Sequence, residues 1–262
     1  MADRSLAGLR VVVTRPQRQS EGFAHKLEAL GARPIPFPVM RIDPTPDLPD
    51  FDAALCSLAG YRWIVFTSAN GVEVVWDRMT DLGVSTDQLL PERLAAIGTA
   101  TAEALRERGL TPAFVPKAFI GEDLGEGLPD VGGGRVLLAR AAGSRPVLPE
   151  ILERRGAHVD EFAVYRAVPI RPPSAGYDDL RQGASALTFT SPSTVRHFLT
   201  ALDGSDLDPR HLPGNPATVC IGPVTAEAAE KAALGPALVA GTYTTDGLIQ
   251  ALVELFIRRE SR

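Results

Sequence analysis

The chain writes one short stretch twice. Phe66-Thr67-Ser68-Ala69-Asn70-Gly71-Val72 returns as Phe189-Thr190-Ser191-Pro192-Ser193-Thr194-Val195, each copy following a short apolar run and opening helical-looking sequence. About thirty residues after each comes a second matched pair, Ile97-Gly98-Thr99-Ala100-Thr101 and Ile221-Gly222-Pro223-Val224-Thr225. The match extends to Arg135–Arg140 against Arg10–Arg15, to Leu152–Ala157 against Leu27–Ala32, and to Phe162–Arg166 against Phe37–Arg41. The offset stays between 123 and 125 residues over all of these segments, so the 262-residue chain is an internal duplication. A duplicated chain must build two similar half-molecules, and that restricts its architecture more than any single motif does.

Each half reads strand, helix, connecting strand, helix, strand, Thr-Ser turn, helix, strand, Ile-Gly turn, helix. Short apolar strands alternating with helices imply a parallel sheet covered on both faces, an α/β fold. Proline-rich sequence follows the connecting strand in each half, at Pro44–Pro49 and at Pro169–Pro173. Such sequence favours extended chain, so it marks a connector that lies early in each half rather than at the midpoint. Gly125 to Gly134 is the other soft region, and Gly132-Gly133-Gly134 is expected to be a flexible lead-in to the strand at Arg135. It precedes a strand and no Lys-Ser/Thr comes after it, so it is neither a phosphate loop nor a dinucleotide fingerprint. The segment from Asp246 to Ile257 has the spacing of a closing helix.

An apolar strand that ends in Ser, Thr or Gly and opens a helix leaves backbone N–H groups pointing outward at a positive dipole end, a ready anion site. Four such turns suggest two half-molecules serving one polyanionic ligand. Ser68, Asn70, Thr101, Ser191, Ser193 and Thr225 are the candidate substrate contacts, although each could also serve only to cap its helix. Arg15 and Arg140 occupy equivalent strand ends, where guanidinium groups suit carboxylates; Arg145 is a weaker third.

The net charge of −5 argues against a broad nucleic-acid surface, so an anion must be bound by local geometry. Cys56 and Cys220 are too few for a disulfide framework, and Cys220 sits in an apolar run as packing. His25, His158, His197 and His211 lack metal-ligand spacing, and no metal site is expected. No apolar run approaches a membrane span, and Met1-Ala2-Asp3-Arg4 lacks a signal-peptide profile, so no membrane association and a cytoplasmic protein are expected.

In order and spacing, Val13-Thr14-Arg15-Pro16, the Gly-Ala pairs at Gly31 and Gly156, the two Thr-Ser turns, Ile97-Gly98 with Thr101, Arg140, Val164-Tyr165, and Ile221-Gly222-Pro223 with Thr225 resemble uroporphyrinogen-III synthase. The resemblance runs from residue 9 to about residue 252. It implies two flavodoxin-like lobes joined by a two-stranded ladder, with the active site in the cleft between them. The first lobe would hold residues 1–36 and 169–262 and the second residues 44–161, with 37–43 and 162–168 as the ladder. The implied reaction takes hydroxymethylbilane, loses water, inverts ring D through a spiro intermediate and closes uroporphyrinogen III without a cofactor. A monomer is implied, and a transient contact with the enzyme that makes hydroxymethylbilane is compatible with it.

Tyr165 is the candidate catalytic residue. The duplication sets it opposite Met40, so the halves differ where a polar group can act, and a phenol stays protonated at neutral pH. As a strand tyrosine it could equally be packing; the resemblance, in which this Val-Tyr position faces the cleft, favours chemistry. The second half lacks the Thr-Arg-Pro of the first, reading Ala139-Arg140-Ala141, so the two lobes are expected to hold carboxylates differently. A two-lobed, non-enzymatic binding protein for a small polyanion is the alternative. A nucleotide-handling transferase is disfavoured by the missing glycine-rich phosphate loop and magnesium cluster.

Overall fold

The computed structural model describes residues 5–90, 93–117 and 120–260; the opening Met1-Ala2-Asp3-Arg4 lies outside them. The first half runs β1 (Arg10–Val13), α1 (Gln17–Ala29), β2 (Arg33–Pro36), β3 (Met40–Pro44), α2 (Pro49–Leu55), β4 (Trp63–Phe66), α3 (Ala69–Asp81), β5 (Leu94–Ala96) and α4 (Thr99–Arg106). A short helix, α5 (Gly121–Gly127), leads to the second half. There follow β6 (Arg135–Ala141), α6 (Val147–Arg154), β7 (His158–Pro169), α7 (Ser174–Arg181), β8 (Ala186–Phe189), α8 (Pro192–Leu202), β9 (Ala217–Cys220) and α9 (Pro223–Lys231). The chain closes with β10 (Ala237–Val239) and α10 (Thr245–Glu260).

The strands form two five-stranded sheets, in the orders β10-β9-β8-β1-β2 and β3-β7-β6-β4-β5. Read from β2, the first has the flavodoxin order 2-1-3-4-5, with parallel neighbours throughout. In the second, β7-β6-β4-β5 are parallel and repeat 2-1-3-4 when counted from β6. Phe114 makes an isolated parallel bridge with Ala95 where a fifth strand would stand. The chain divides into two compact units, residues 1–41 with 168–262 and residues 42–167, each holding one sheet. It passes from one unit to the other within β3 and again within β7, which are neighbours. Ile170 N donates to Val39 O at 3.1 Å and Thr45 N to Val164 O at 2.9 Å, so these two strands run in opposite senses.

Strands β1, β8 and β9 of the first sheet and β6, β4 and β5 of the second are buried on both faces, which is why they read as nearly unbroken apolar runs, while β2, β10, β3 and β7 are more exposed. In β1, Val11 and Val13 pack with Leu27, Leu248 and Leu252, while Val12 packs with Ile35, Leu187 and Phe198. β6 repeats this: Val136 and Leu138 join Leu124, Leu148 and Leu152, and Leu137 and Ala139 join Phe66, Val72 and Tyr165. The duplicated helix ends agree as well, since Gly31 and Gly156 have φ of 83° and 84°, the left-handed region glycine occupies without strain. The halves differ at the connecting strand. Pro38 has no N–H to give and the first copy breaks into β2 and β3, whereas Ala163 at the matching position lets β7 run unbroken for 12 residues.

The glycine-rich stretch is more ordered than its composition implies. Gly121–Gly127 is α5, and a Cβ on Gly125 would come within 2.9 Å of Ile151 Cγ2, so this glycine lets α5 close onto α6. Gly132-Gly133-Gly134 is a tied turn rather than a flexible lead-in: Gly133 N donates to Gly156 O at 2.7 Å and Gly134 N to Val131 O at 3.0 Å. Composition shows that side chains are missing; it does not show what occupies the space they leave. Among the described residues no helix is long and apolar enough to cross a membrane.

Candidate active site

Ligands of open parallel α/β sheets bind outside the carboxyl ends of the strands, near the point where strand order reverses. In the first unit that point lies between β1 and β8, in the second between β6 and β4. All the candidate residues fall at these carboxyl ends or on the helix turns that follow. Arg15, Ser191, Ser193 and Thr225 belong to the first unit, and Ser68, Asn70, Thr101, Arg140 and Tyr165 to the second.

Tyr165 owes its position to an irregularity in β7. Arg140 pairs with Ala163 but Ala141 pairs with Tyr165, so Val164 is an extra residue on that strand. Such a bulge re-aims the side chains that follow it. Val164 and Tyr165 are consecutive yet both buried, at 1% and 4% exposure. The tyrosine ring thereby comes against the first turn of α3. Ser68 caps that helix by accepting from Gly71 N at 3.0 Å, and Ser68 Oγ lies 2.7 Å from the Tyr165 hydroxyl. Asn70 supplies a further hydrogen bond to the same hydroxyl. Burial pushes the Tyr165 pKa above its ordinary value, and the bonds from Ser68 and Asn70 pull against that rise by favouring the phenolate.

Gly71 is the neighbour that sequence reasoning missed. A Cβ there would lie 3.3 Å from both Ala139 O and Ser68 Oγ, and 3.9 Å from Tyr165 Cε1. The duplication places Thr194 opposite it, so the exchange of Thr for Gly was the signal available in the sequence. In the first unit Thr194 fills the turn differently. Its backbone N donates to Ser191 Oγ while its Oγ1 accepts from Ser191 N, a reciprocal capping box, and Ser193 Oγ sits 2.8 Å from Ser191 Oγ. Met40, opposite Tyr165, is 5% exposed and has no hydroxyl to offer.

Three groupings result: Ser68, Asn70 and Tyr165 on one helix start, Ser191 and Ser193 on another, and Arg15 near Gln19, whose Oε1 lies 3.5 Å from Nη2. Thr101 and Thr225, each on the first turn of its helix, are only 3% and 4% exposed. Arg140 is committed within its own unit. It shares strand parity with Val136 and Leu138, facing α5 and α6 and away from Tyr165. Its Nη1 donates to Glu161 Oε1 at 2.6 Å and its Nη2 to Arg145 O at 2.5 Å. Arg145 pairs with Glu122 at 3.0 Å. Cys220 is fully buried and its thiol is pushed up to about 12 by that burial, in keeping with a packing role. A cluster at the other end of the second sheet joins the Tyr61 hydroxyl, Asp160 and Arg135 within 2.9 Å, and burial raises the Tyr61 pKa there too.

Fold and site together define an α/β protein of two compact, flavodoxin-like units, with serine-capped helix starts at their strand ends. The model of the family described as uroporphyrinogen-III synthase HemD matches residues 21–250, and this chain belongs to that family. It is 32% identical over 259 residues to the uroporphyrinogen-III synthase of Synechococcus elongatus, covering 96% of this chain and 97% of that one. It is 31% identical over 256 residues to the porphyrin biosynthesis protein HemD of Ruminiclostridium josui, covering 96% of this chain but 49% of that protein, so it spans about half of that relative's length. In fold it is similar to the uroporphyrinogen-III synthetase structure from Helicobacter pylori, with a TM-score of 0.58 at 19% identity over 95% of this chain and 99% of that one. A mutant synthase from the extremely thermophilic bacterium Thermus thermophilus gives 0.57 at 23% identity over 96% and 100%.

Proposed function

We propose that this chain cyclises hydroxymethylbilane to uroporphyrinogen III, with loss of water and inversion of ring D, and that Tyr165 is its proton donor. The observation that carries the assignment is the Tyr165 hydroxyl held between Ser68 and Asn70 at the start of α3. When both neighbours donate to the phenol oxygen, its own O–H remains to be given to a ligand. The departing hydroxyl takes that proton and leaves as water. The phenolate left behind is stabilised by the two donors and by the positive end of α3. The proton lost from the substrate as the new ring bond rearomatises returns to it, so the step is balanced. One positioned general acid contributes roughly 10²–10⁴-fold. The rest of the demand is conformational, bringing the two substrate ends together in the geometry that favours inversion.

The helix starts at Ser68 and Ser191, with Arg15, supply the binding of the substrate's carboxylates by local geometry, in a chain whose net charge is −5. Thr101 and Thr225, buried on the first turns of α4 and α9, belong to the second pair of helix starts rather than to these. Arg140, paired with Glu161, holds the β6 end and the loop to α6 in place and meets substrate only if that pair opens. The reading includes a cytoplasmic monomer. Incubating the protein with freshly generated hydroxymethylbilane and resolving the product isomers tests the assignment. A marked excess of the III isomer over the enzyme-free control is expected; a mixture no richer than the control would overturn it.

A further inference from the structure

The helix starts account for the acidic arms of a tetrapyrrole but leave its flat pyrrole faces without a partner. We propose that Tyr243, together with Val224 on the first turn of α9, forms an apolar platform for one pyrrole ring at the carboxyl edge of the first sheet; this rests on the synthase reading. Val239 pairs with Cys220, and Ala240 N donates to Cys220 O at 2.9 Å, so the loop after β10 lies alongside the loop after β9. A Cβ placed at Gly222 would stand 3.7 Å from Tyr243 Cδ1, which puts the tyrosine ring over the backbone that starts α9. Val224, on the first turn of α9, is 67% exposed, more than any other large apolar side chain among the described residues, and Tyr243 is 38% exposed. β9 lies next to β8, whose own end carries Ser191, so platform and capped turn share one edge.

A second observation comes from the duplication. Tyr243-Thr244-Thr245-Asp246-Gly247-Leu248 stands opposite Phe119-Ile120-Gly121-Glu122-Asp123-Leu124, at the same offset of 124 residues as the Ile-Gly turns. Leu248 and Leu124 are both fully buried and anchor the alignment. Phe119 lies outside the described residues, but its type is plain: both halves keep an aromatic residue here. The buried leucine has a packing reason to persist. The Tyr243 ring, by contrast, is 38% exposed, and the apolar area it leaves at the surface is costly in water. A flat, electron-rich heterocycle with charged arms is the ligand chemistry that such a ring beside a helix start would take.

The test uses the full chain with Tyr243→Ala, Tyr243→Phe and Val224→Asp, measuring KM and kcat with hydroxymethylbilane, product affinity by titration with uroporphyrinogen III, and Tm. Tyr243→Ala is expected to raise KM and weaken product binding about tenfold, with kcat within about twofold of the parent. Tyr243→Phe keeps the ring and should behave as the parent. Val224→Asp puts a carboxylate where the helix dipole favours it, so Tm should hold or rise while binding of the polycarboxylate weakens. Parent-like binding in Tyr243→Ala and Val224→Asp, or Tyr243→Phe failing as badly as Tyr243→Ala, would overturn the platform while leaving an active parent enzyme as proposed. A parent chain that yields no excess of the III isomer would instead overturn the synthase reading and the platform with it.

Discussion

Tyr165 is 4% exposed, yet it holds its hydroxyl against two polar partners at a helix start, an arrangement that apolar packing alone does not require. Replacing it with Phe keeps the ring against Gly71 and removes only the hydroxyl. Stability should change by about 1 kcal/mol, the worth of one hydrogen bond, while turnover drops by ~10²-fold or more and product affinity stays near that of the parent. Single-turnover kinetics with isomer analysis would check this; near-normal turnover would return Tyr165 to a packing role. The same residue predicts a pH dependence. Its folded pKa, like that of Tyr61, is raised above the ordinary phenol value of about 10. Below that value both states are protonated and the stabilisation is complete. As pH climbs from there through the folded values, the unfolded chain loses protons that the native chain keeps, so stability falls by up to ~1.4 kcal/mol per pH unit for each group. Urea unfolding between pH 8 and 11, in about half-unit steps, should show a decline that begins near pH ~9, where the unfolded chain ionises Cys220 while the buried thiol stays protonated, and steepens from pH ~10 as the tyrosines join. The slope above pH ~10 should be shallower in Tyr165→Phe, and equal slopes there would show that Tyr165 is not among the groups responsible.

Glycines of two kinds show how far an element can be read from its residues. Gly22 lies inside α1 with nothing near the position of a Cβ, and Gly125 lies inside α5 against Ile151. Gly22→Ala should stabilise by about 0.5–1 kcal/mol through backbone entropy. Gly125→Ala gains the same propensity but must displace Ile151, and overpacking costs about 1–3 kcal/mol, so a net loss is expected. Thermal unfolding of the two variants should shift in opposite directions; a shared sign would mean that α5 and α6 yield more readily than their spacing implies. The sequence contains nothing that separates these two glycines, because the difference lies in a neighbour 26 residues further on. Elsewhere periodicity sufficed. The offset of the repeats gave the sheets, and the Ser-capped turns lie where apolar runs end and helices begin. The asymmetry of Tyr165 with Met40 was readable too, but the bulge at Val164 that turns the ring inward depends on pairing between strands, and no local propensity encodes it. Arg140 was legible as a strand-end cation and illegible as the partner of Glu161, two positions before the residue it faces across the strands.

At the scale of the whole chain, one unit is contiguous and the other is not. Arg41 and Val168 face each other across β3 and β7, in the register set by the Val39–Ile170 and Thr45–Val164 hydrogen bonds. Joining Arg41 to Val168 through an Asn-Gly turn should therefore close a hairpin and leave the first unit able to fold without residues 42–167. Residues 42–167, expressed alone, should fold around their own two-faced sheet. Cooperative urea transitions for both pieces are expected, and a broad, non-cooperative loss of structure in either would show that the units depend on each other for stability. The interrupted unit also bears on synthesis. β1 is central in its sheet, between β2 and β8, and β8 begins 173 residues after β1 ends. On the ribosome, at about 5–20 residues per second, the growing polypeptide carries β1 and β2 with one apolar edge unpaired for roughly ten to thirty-five seconds. The contiguous unit is finished during that wait. The amino-terminal segment must stay unaggregated until translation delivers its partner, which makes it the part of the nascent chain with most need of a chaperone.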